Sequence, residues 1–123
     1  MSSDELQKRT MAFSLLTIDF FKSLPGTTEA QLIGKQLLRS ATSVASNYRA
    51  ARRGRSRNEF FAKLCIVVEE SDETLFWLEM LKESKIVPNQ ELDGLIGEAK
   101  ELLYIFSASR KSTRENMNKS LNH

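Results

Sequence analysis

Residues 36 to 81 constrain this chain most, because they read as two long amphipathic helices joined by a turn that is almost entirely arginine. The arm before the turn carries Leu37, Leu38, Ala41, Val44, Ala45 and Tyr48 at three- and four-residue steps, the spacing of one helix face. A second face of that arm is small and polar: Gln36, Ser40, Ser43 and Asn47. The arm after the turn carries Phe60, Leu64, Val67, Leu75, Leu78 and Leu81, with Ser71 and Thr74 filling the interval. Each arm must bury its stripe, and the simplest partner for each is the other.

The turn, Arg52-Arg53-Gly54-Arg55-Ser56-Arg57, has its own local chemistry. Gly54 is expected to end the first arm in a positive-φ conformation, which glycine adopts without steric cost. Ser56 and Glu59 have capping-box spacing and open the next helix near Asn58. A tight turn between long helices implies antiparallel packing. Residues whose numbers sum to about 110 should then face each other, placing Arg39 beside Glu70 and Ser71.

The rest of the chain supplies two more helices. Ser2-Ser3-Asp4-Glu5 has the spacing of a helix start, and Leu6, Phe13, Leu16, Phe20 and Leu24 form a core stripe that ends at Pro25-Gly26. Met11, Leu15, Ile18 and Phe21 fall partly outside that stripe. Such a surplus is expected to form a subunit interface, with a broad core face as the alternative. Thr28 with Gln31 is expected to cap the second helix. After the third helix, to about Ser84, Pro88 interrupts the pattern and Asn89 is placed to cap a fourth. That helix is marked by Leu92, Leu95, Ile96, Ala99, Leu102, Leu103 and Phe106. Residues 1–116 are therefore expected to form one domain, with a frayed tail over 117–123. The fold class that follows is all-α, an up-down-up-down four-helix bundle.

At 123 residues and 41% hydrophobic content, the chain suffices for one core and is short for two. A single cysteine, Cys65, excludes an intrachain disulfide framework and reads as a small core hydrophobe. No stretch approaches the roughly 20 apolar residues of a membrane span, and no signal-type run precedes Asp4, so the expected setting is the cytoplasm.

The formal charge of +2 conceals two opposed blocks. Residues 47–63 hold Arg49, Arg52, Arg53, Arg55, Arg57 and Lys63 against Glu59 alone, and residues 69–83 hold Glu69, Glu70, Asp72, Glu73, Glu79 and Glu83 against Lys82 alone. In an up-down bundle the basic turn shares its end with Arg110, Lys111 and Arg114 of the fourth helix and with Lys8 and Arg9 of the first. Glu79, Glu83, Glu91 and Asp93 fall at the other end. The expected object is a bipolar rod of about 35 to 45 Å.

Leu38-Arg39-Ser40-Ala41-Thr42-Ser43-Val44-Ala45-Ser46-Asn47, the basic turn, Ser56, Glu59-Phe60 and the acidic third helix together resemble the 23S ribosomal RNA intervening-sequence family. The resemblance extends from the first helix to about Ser109. This chain has Arg49-Ala50-Ala51 where many members have Ala-Glu-Gly, as in a more basic subfamily reading Asn-Tyr-Arg. The resemblance implies an up-and-down bundle assembled as a cyclic homo-oligomer, a pentamer. It also implies a distant likeness to the accessory protein of diversity-generating retroelements, which works with a reverse transcriptase and nucleic acid. The family name records a gene location and carries no activity.

Three constellations are candidates for chemistry. The cations Arg49, Arg52, Arg53, Arg55, Arg57, Arg110, Lys111 and Arg114 form a candidate RNA or DNA surface. Arg55 and Arg57 stand at a helix N-terminus, where the dipole disfavours cations, so an external anion would relieve them. The alternatives are a solvated charge run or a dock for an acidic protein partner. Arg39, Ser40, Ser43, Asn47 and Glu70 read as a structural polar layer in which small hydroxyl residues allow close helix approach. The acidic residues of the third helix lack the Glu-x-x-His motif of di-iron bundles, since the one histidine is His123. With no base near Cys65 or any serine, neither metal, cofactor nor enzymatic activity is expected. Phe76 and Trp77 are open between interface and core.

Overall fold

The computed structural model describes residues 1–121 and contains four helices: α1 Ser3–Lys22, α2 Thr28–Arg52, α3 Arg57–Glu83 and α4 Asn89–Leu121. Among the described residues, α1 packs on α2 and α4, and α3 on α2 and α4, in an antiparallel up-down-up-down bundle. The α2–α3 and α3–α4 faces are the most extensive, and α1–α4 is the slightest. Among the described residues, no helix is long and apolar enough to cross a membrane.

Local chemistry sets the helix starts. The Ser2 hydroxyl accepts the Glu5 N–H at 3.1 Å, and the Ser56 hydroxyl accepts the Glu59 N–H at 3.1 Å. Glu59 departs from a strict capping box, because its carboxylate takes the N–H of Arg55 at 2.6 Å, one residue earlier than the cap. The cap of α2 is Thr27, not Thr28: its hydroxyl accepts from Ala30 at 3.4 Å, while Gln31 donates to the Pro25 carbonyl at 3.0 Å. Two adjacent threonines carry the same capping chemistry, and the chain uses the first. Asn89 is the first residue of α4 itself, so Pro88 rather than Asn89 stands at its entry.

Gly54 corrects a second expectation. No glycine has positive φ, and α2 ends at Arg53 with φ −92°. Glycine relieves crowding there instead: a Cβ at 54 would lie 3.1 Å from the Ala51 carbonyl oxygen and 3.3 Å from the Glu59 Cβ. The left-handed residue is instead Lys85, φ 56°, just past the end of α3. A side chain there costs roughly 1–2 kcal/mol relative to the right-handed region.

The core is built on Leu37, Leu64, Leu78, Leu81, Leu92, Leu102 and Phe106, all essentially inaccessible. Within α1 the buried residues are Leu6, Thr10, Phe13, Ser14, Thr17 and Phe20, Leu24 is buried just beyond the helix, and Leu16 is 55% exposed, contrary to the expected stripe. Threonine is tolerated inside because its hydroxyl bonds its own helix: Thr10 donates to the Gln7 carbonyl and Thr17 to that of Ser14, both at 2.7 Å. Ser14 reaches across to the Ala41 carbonyl at 3.2 Å, tying α1 closely to α2. Trp77 packs against the core and donates to Glu73 at 3.3 Å, whereas Phe76 is 49% exposed. Cys65 is half-buried.

α4 has 33 residues, about 50 Å at 1.5 Å per residue, longer than the rod expected. It remains helical through Leu121, across residues 117–121 that were expected to fray; residues 122–123, including His123, lie outside the described residues.

Candidate nucleic-acid interface at the basic pole

The bundle brings the arginine turn, the start of α1 and the last turns of α4 to one end. Arg52 bonds Asp4 and Gln7 of α1, both at 2.6 Å, and Arg57 bonds the Ser120 hydroxyl of α4 at 3.1 Å. At the other end Lys82 meets Asp93 at 3.2 Å.

The eight candidate cations divide into two groups. Arg52, Arg57 and Arg114 are tied within the molecule: Arg52 to Asp4, Arg57 to α4, and Arg114 over the Phe61 ring at 5.4 Å from its centroid. Arg49, Arg53, Arg55, Arg110 and Lys111 make no ion pair and no side-chain hydrogen bond with the other described residues. Arg53 and Arg55 flank an open hollow of about 410 Å³, with Lys63 and Glu59 on its wall. Glu59 is the lone acid of this block, and its carboxylate is already committed to the Arg55 backbone. The field at this end is therefore positive and largely uncompensated.

Arg9 does not add to that field. Its guanidinium grips Glu98 through Nε and Nη2, both at 2.7 Å, and reaches Glu101 at 3.0 Å. These bonds, the one to Glu98 foremost, raise its pKa above the usual arginine value. The three side chains form a bidentate clamp across α1 and α4, the least extensive helix pair.

The polar row on α2 separates into three parts. Arg39 donates to Gln36 and to Glu70, each at 3.1 Å, and also pairs with Glu73. The hydrogen bond from Arg39 holds the Glu73 carboxyl below its ordinary range. Arg39 is 47% exposed at its side chain, so this cluster lies on the surface rather than in a partly buried layer. Ser40 is buried and bonded by the Thr74 hydroxyl at 2.9 Å. Asn47 donates to the Ser43 carbonyl and hydroxyl on its own helix, at 3.0 and 2.9 Å. Glu73 and Thr74, absent from the sequence-based layer, follow from the same antiparallel register, one turn beyond Glu70.

Of the surplus apolar residues on α1, Met11 and Leu15 are 52% and 55% exposed and Ile18 is half-buried. They line a groove of about 280 Å³ with Thr42, Ala45 and Arg49 of α2. Phe21 is spent internally, lying against Gly34, where a Cβ would meet its ring at 2.8 Å. Among the described residues, no group of three His, Cys, Asp or Glu side chains is placed to hold a metal ion.

Comparison with known proteins gives the fold a context. A crystal structure of a protein with unknown function from the S23 ribosomal protein family of Bacteroides thetaiotaomicron superposes with a TM-score of 0.82. The two are 26% identical over 90% of this chain and 99% of the other. No curated protein matches. The family model described as 23S rRNA-intervening sequence protein matches residues 3–108, ending before Arg110, Lys111 and Arg114. With nearly the whole bundle inside that match, the chain belongs to the 23S rRNA-intervening sequence protein family.

Proposed function

We propose that this protein is a non-enzymatic, cytoplasmic helical bundle that forms a ring and contacts RNA or DNA through its basic pole, as an accessory to a larger nucleic-acid-processing machine. The observation that carries the reading is the group of five cations, Arg49, Arg53, Arg55, Arg110 and Lys111, gathered at one end without intramolecular partners. Guanidiniums held close together repel, and Arg55 lies beside a helix N-terminus that disfavours cations by about 0.3–1 kcal/mol. A polyanion relieves both effects. In a ring the same turn recurs around one rim, and the fields of the copies add. No base-reading motif accompanies the arginines, so affinity comes chiefly from phosphate contacts and is weakly sequence-selective.

The ring rests on the family resemblance, a pentamer, and on the groove of Met11, Leu15 and Ile18 as its contact. That same exposed groove favours the second reading, a protein scaffold with no nucleic-acid role. Two measurements decide. Sedimentation should give a native mass five times the 14.0 kDa chain, falling on Leu15→Glu. A labelled structured RNA and a matched DNA duplex should bind with strong salt dependence. Weak, salt-independent binding of both would leave the scaffold.

A further inference from the structure

The basic pole is not closed on its α1–α4 side. Where α1 begins, an open recess of about 580 Å³ is lined by residues of all four helices, from Met1 and Ser2 at the chain start to Ser109 of α4. Leu6, Phe60 and Ile105 give it apolar walls; Arg52, Ser3 and Ser109 bring polar groups to it. Tyr48 also lines it, 5% exposed, its ring centroid 5.1 Å from that of Phe106.

The Tyr48 hydroxyl has no hydrogen-bond partner among the described residues. Ser71 Oγ is the one fully enclosed side-chain polar atom in that condition. The Tyr48 hydroxyl therefore keeps contact with solvent, and the recess is the opening that Tyr48 lines. Burial raises its pKa, against the opposing charge of Arg52, so at neutral pH it is an O–H able to donate and accept. A closely packed hydroxyl without a protein partner, lining a hollow of mixed apolar and polar walls beside a guanidinium, is an unused recognition element.

The chemistry that fits is a flat ring with polar edges that carries a phosphate. Apolar walls cover the ring, Tyr48 and the serines bond its edge, and the free arginines of the pole hold the phosphate. We propose that this recess takes an unpaired base of a single-stranded nucleic acid whose backbone lies along the basic pole. The inference rests on the nucleic-acid reading above and sharpens it: a duplex keeps its bases stacked and cannot fill the recess.

The test compares a short labelled oligothymidylate, an abasic deoxyribose-phosphate strand of the same length and a matched duplex, by fluorescence anisotropy at one ionic strength. The base-bearing strand should bind about tenfold more tightly than the abasic one, the scale of one sheltered base. Tyr48→Phe, which removes only the hydroxyl, should shrink that ratio. Ser109→Trp, which fills the recess from α4, should abolish it. Equal affinity of wild type for the two strands overturns the recess and spares the phosphate reading. A ratio that survives both variants also overturns it, and absence of binding by any probe at low salt overturns both.

Discussion

Ser71→Ala should make the protein more stable, although it deletes a hydrogen-bonding group from the middle of α3. Ser71 is 3% exposed, and its Oγ is enclosed without a partner. Beside it lies a cavity of about 10 Å³ lined by Phe13, Val44, Thr74, Ala99 and Leu102. A bound water needs roughly 10–15 Å³ and two to four polar neighbours. Here the remaining wall is apolar except for Thr74, whose hydroxyl is engaged by Ser40 and the Glu70 carbonyl, so the cavity is dry. An orphaned buried polar group costs about 1–3 kcal/mol. Alanine also gains roughly 0.5 kcal/mol in helix propensity. Enlarging the cavity by one oxygen costs about 0.4 kcal/mol, taking roughly 24 cal/mol per Å³. The balance is about 1–3 kcal/mol of added stability. Urea unfolding at fixed subunit concentration should show a higher midpoint with unchanged m, and Tm should rise by about 4 °C per kcal/mol. A loss of about 0.5 kcal/mol or more would refute the reasoning, because it would mean that Oγ is bonded in solution.

Three further changes test other parts of the account. Arg9→Met leaves Glu98, 27% exposed, without its fork, and should cost about 1–2 kcal/mol in urea unfolding, below the value for a fully buried pair; Arg9→Lys should restore little, since lysine lacks the bidentate geometry. Lys85→Gly should stabilise by about 1 kcal/mol by relieving the left-handed backbone, read as a midpoint shift. Glu73 titrates lower in the folded protein than in the unfolded chain, so it adds stability above the unfolded carboxylate pKa, and this is lost as pH falls through the folded value. The stability difference between wild type and Glu73→Gln should accordingly vanish in acid; a difference independent of pH contradicts the Arg39 pairing.

The α2–α3 hairpin was legible because both of its ends carry local signals and one register rule then places distant residues. Arg39 and Glu70 sum to 109, and the structure joins them at 3.1 Å. What escaped was chemistry that sequence alone leaves degenerate. Thr27 and Thr28 are equally good caps. Gly54 could serve φ or space, and it serves space. Thr10 and Thr17 are polar, yet each satisfies its own hydroxyl and goes inside. At the pole, composition counts cations but cannot sort them. Arg52 and Arg57 differ from Arg53 and Arg55 through distant partners, chiefly Asp4 on α1 and Ser120 on α4, nearly 50 and over 60 residues away. Tyr48 reads as core and is core, 5% exposed, but the recess it lines exists only once α1 and α4 are in place.

That sorting of cations is the central claim, and a salt series tests it most directly. Binding of a DNA duplex is measured for wild type, for Arg53, Arg55 and Lys111 replaced by Ala, and for Arg52, Arg57 and Arg114 replaced by Ala, with native mass checked for each. Replacing the free set should flatten the slope of log K against log salt by about 0.9 per lost phosphate contact. Replacing the tied set should lower the unfolding midpoint and change the slope by less. Equal slopes for wild type and the free-set variant would contradict the account.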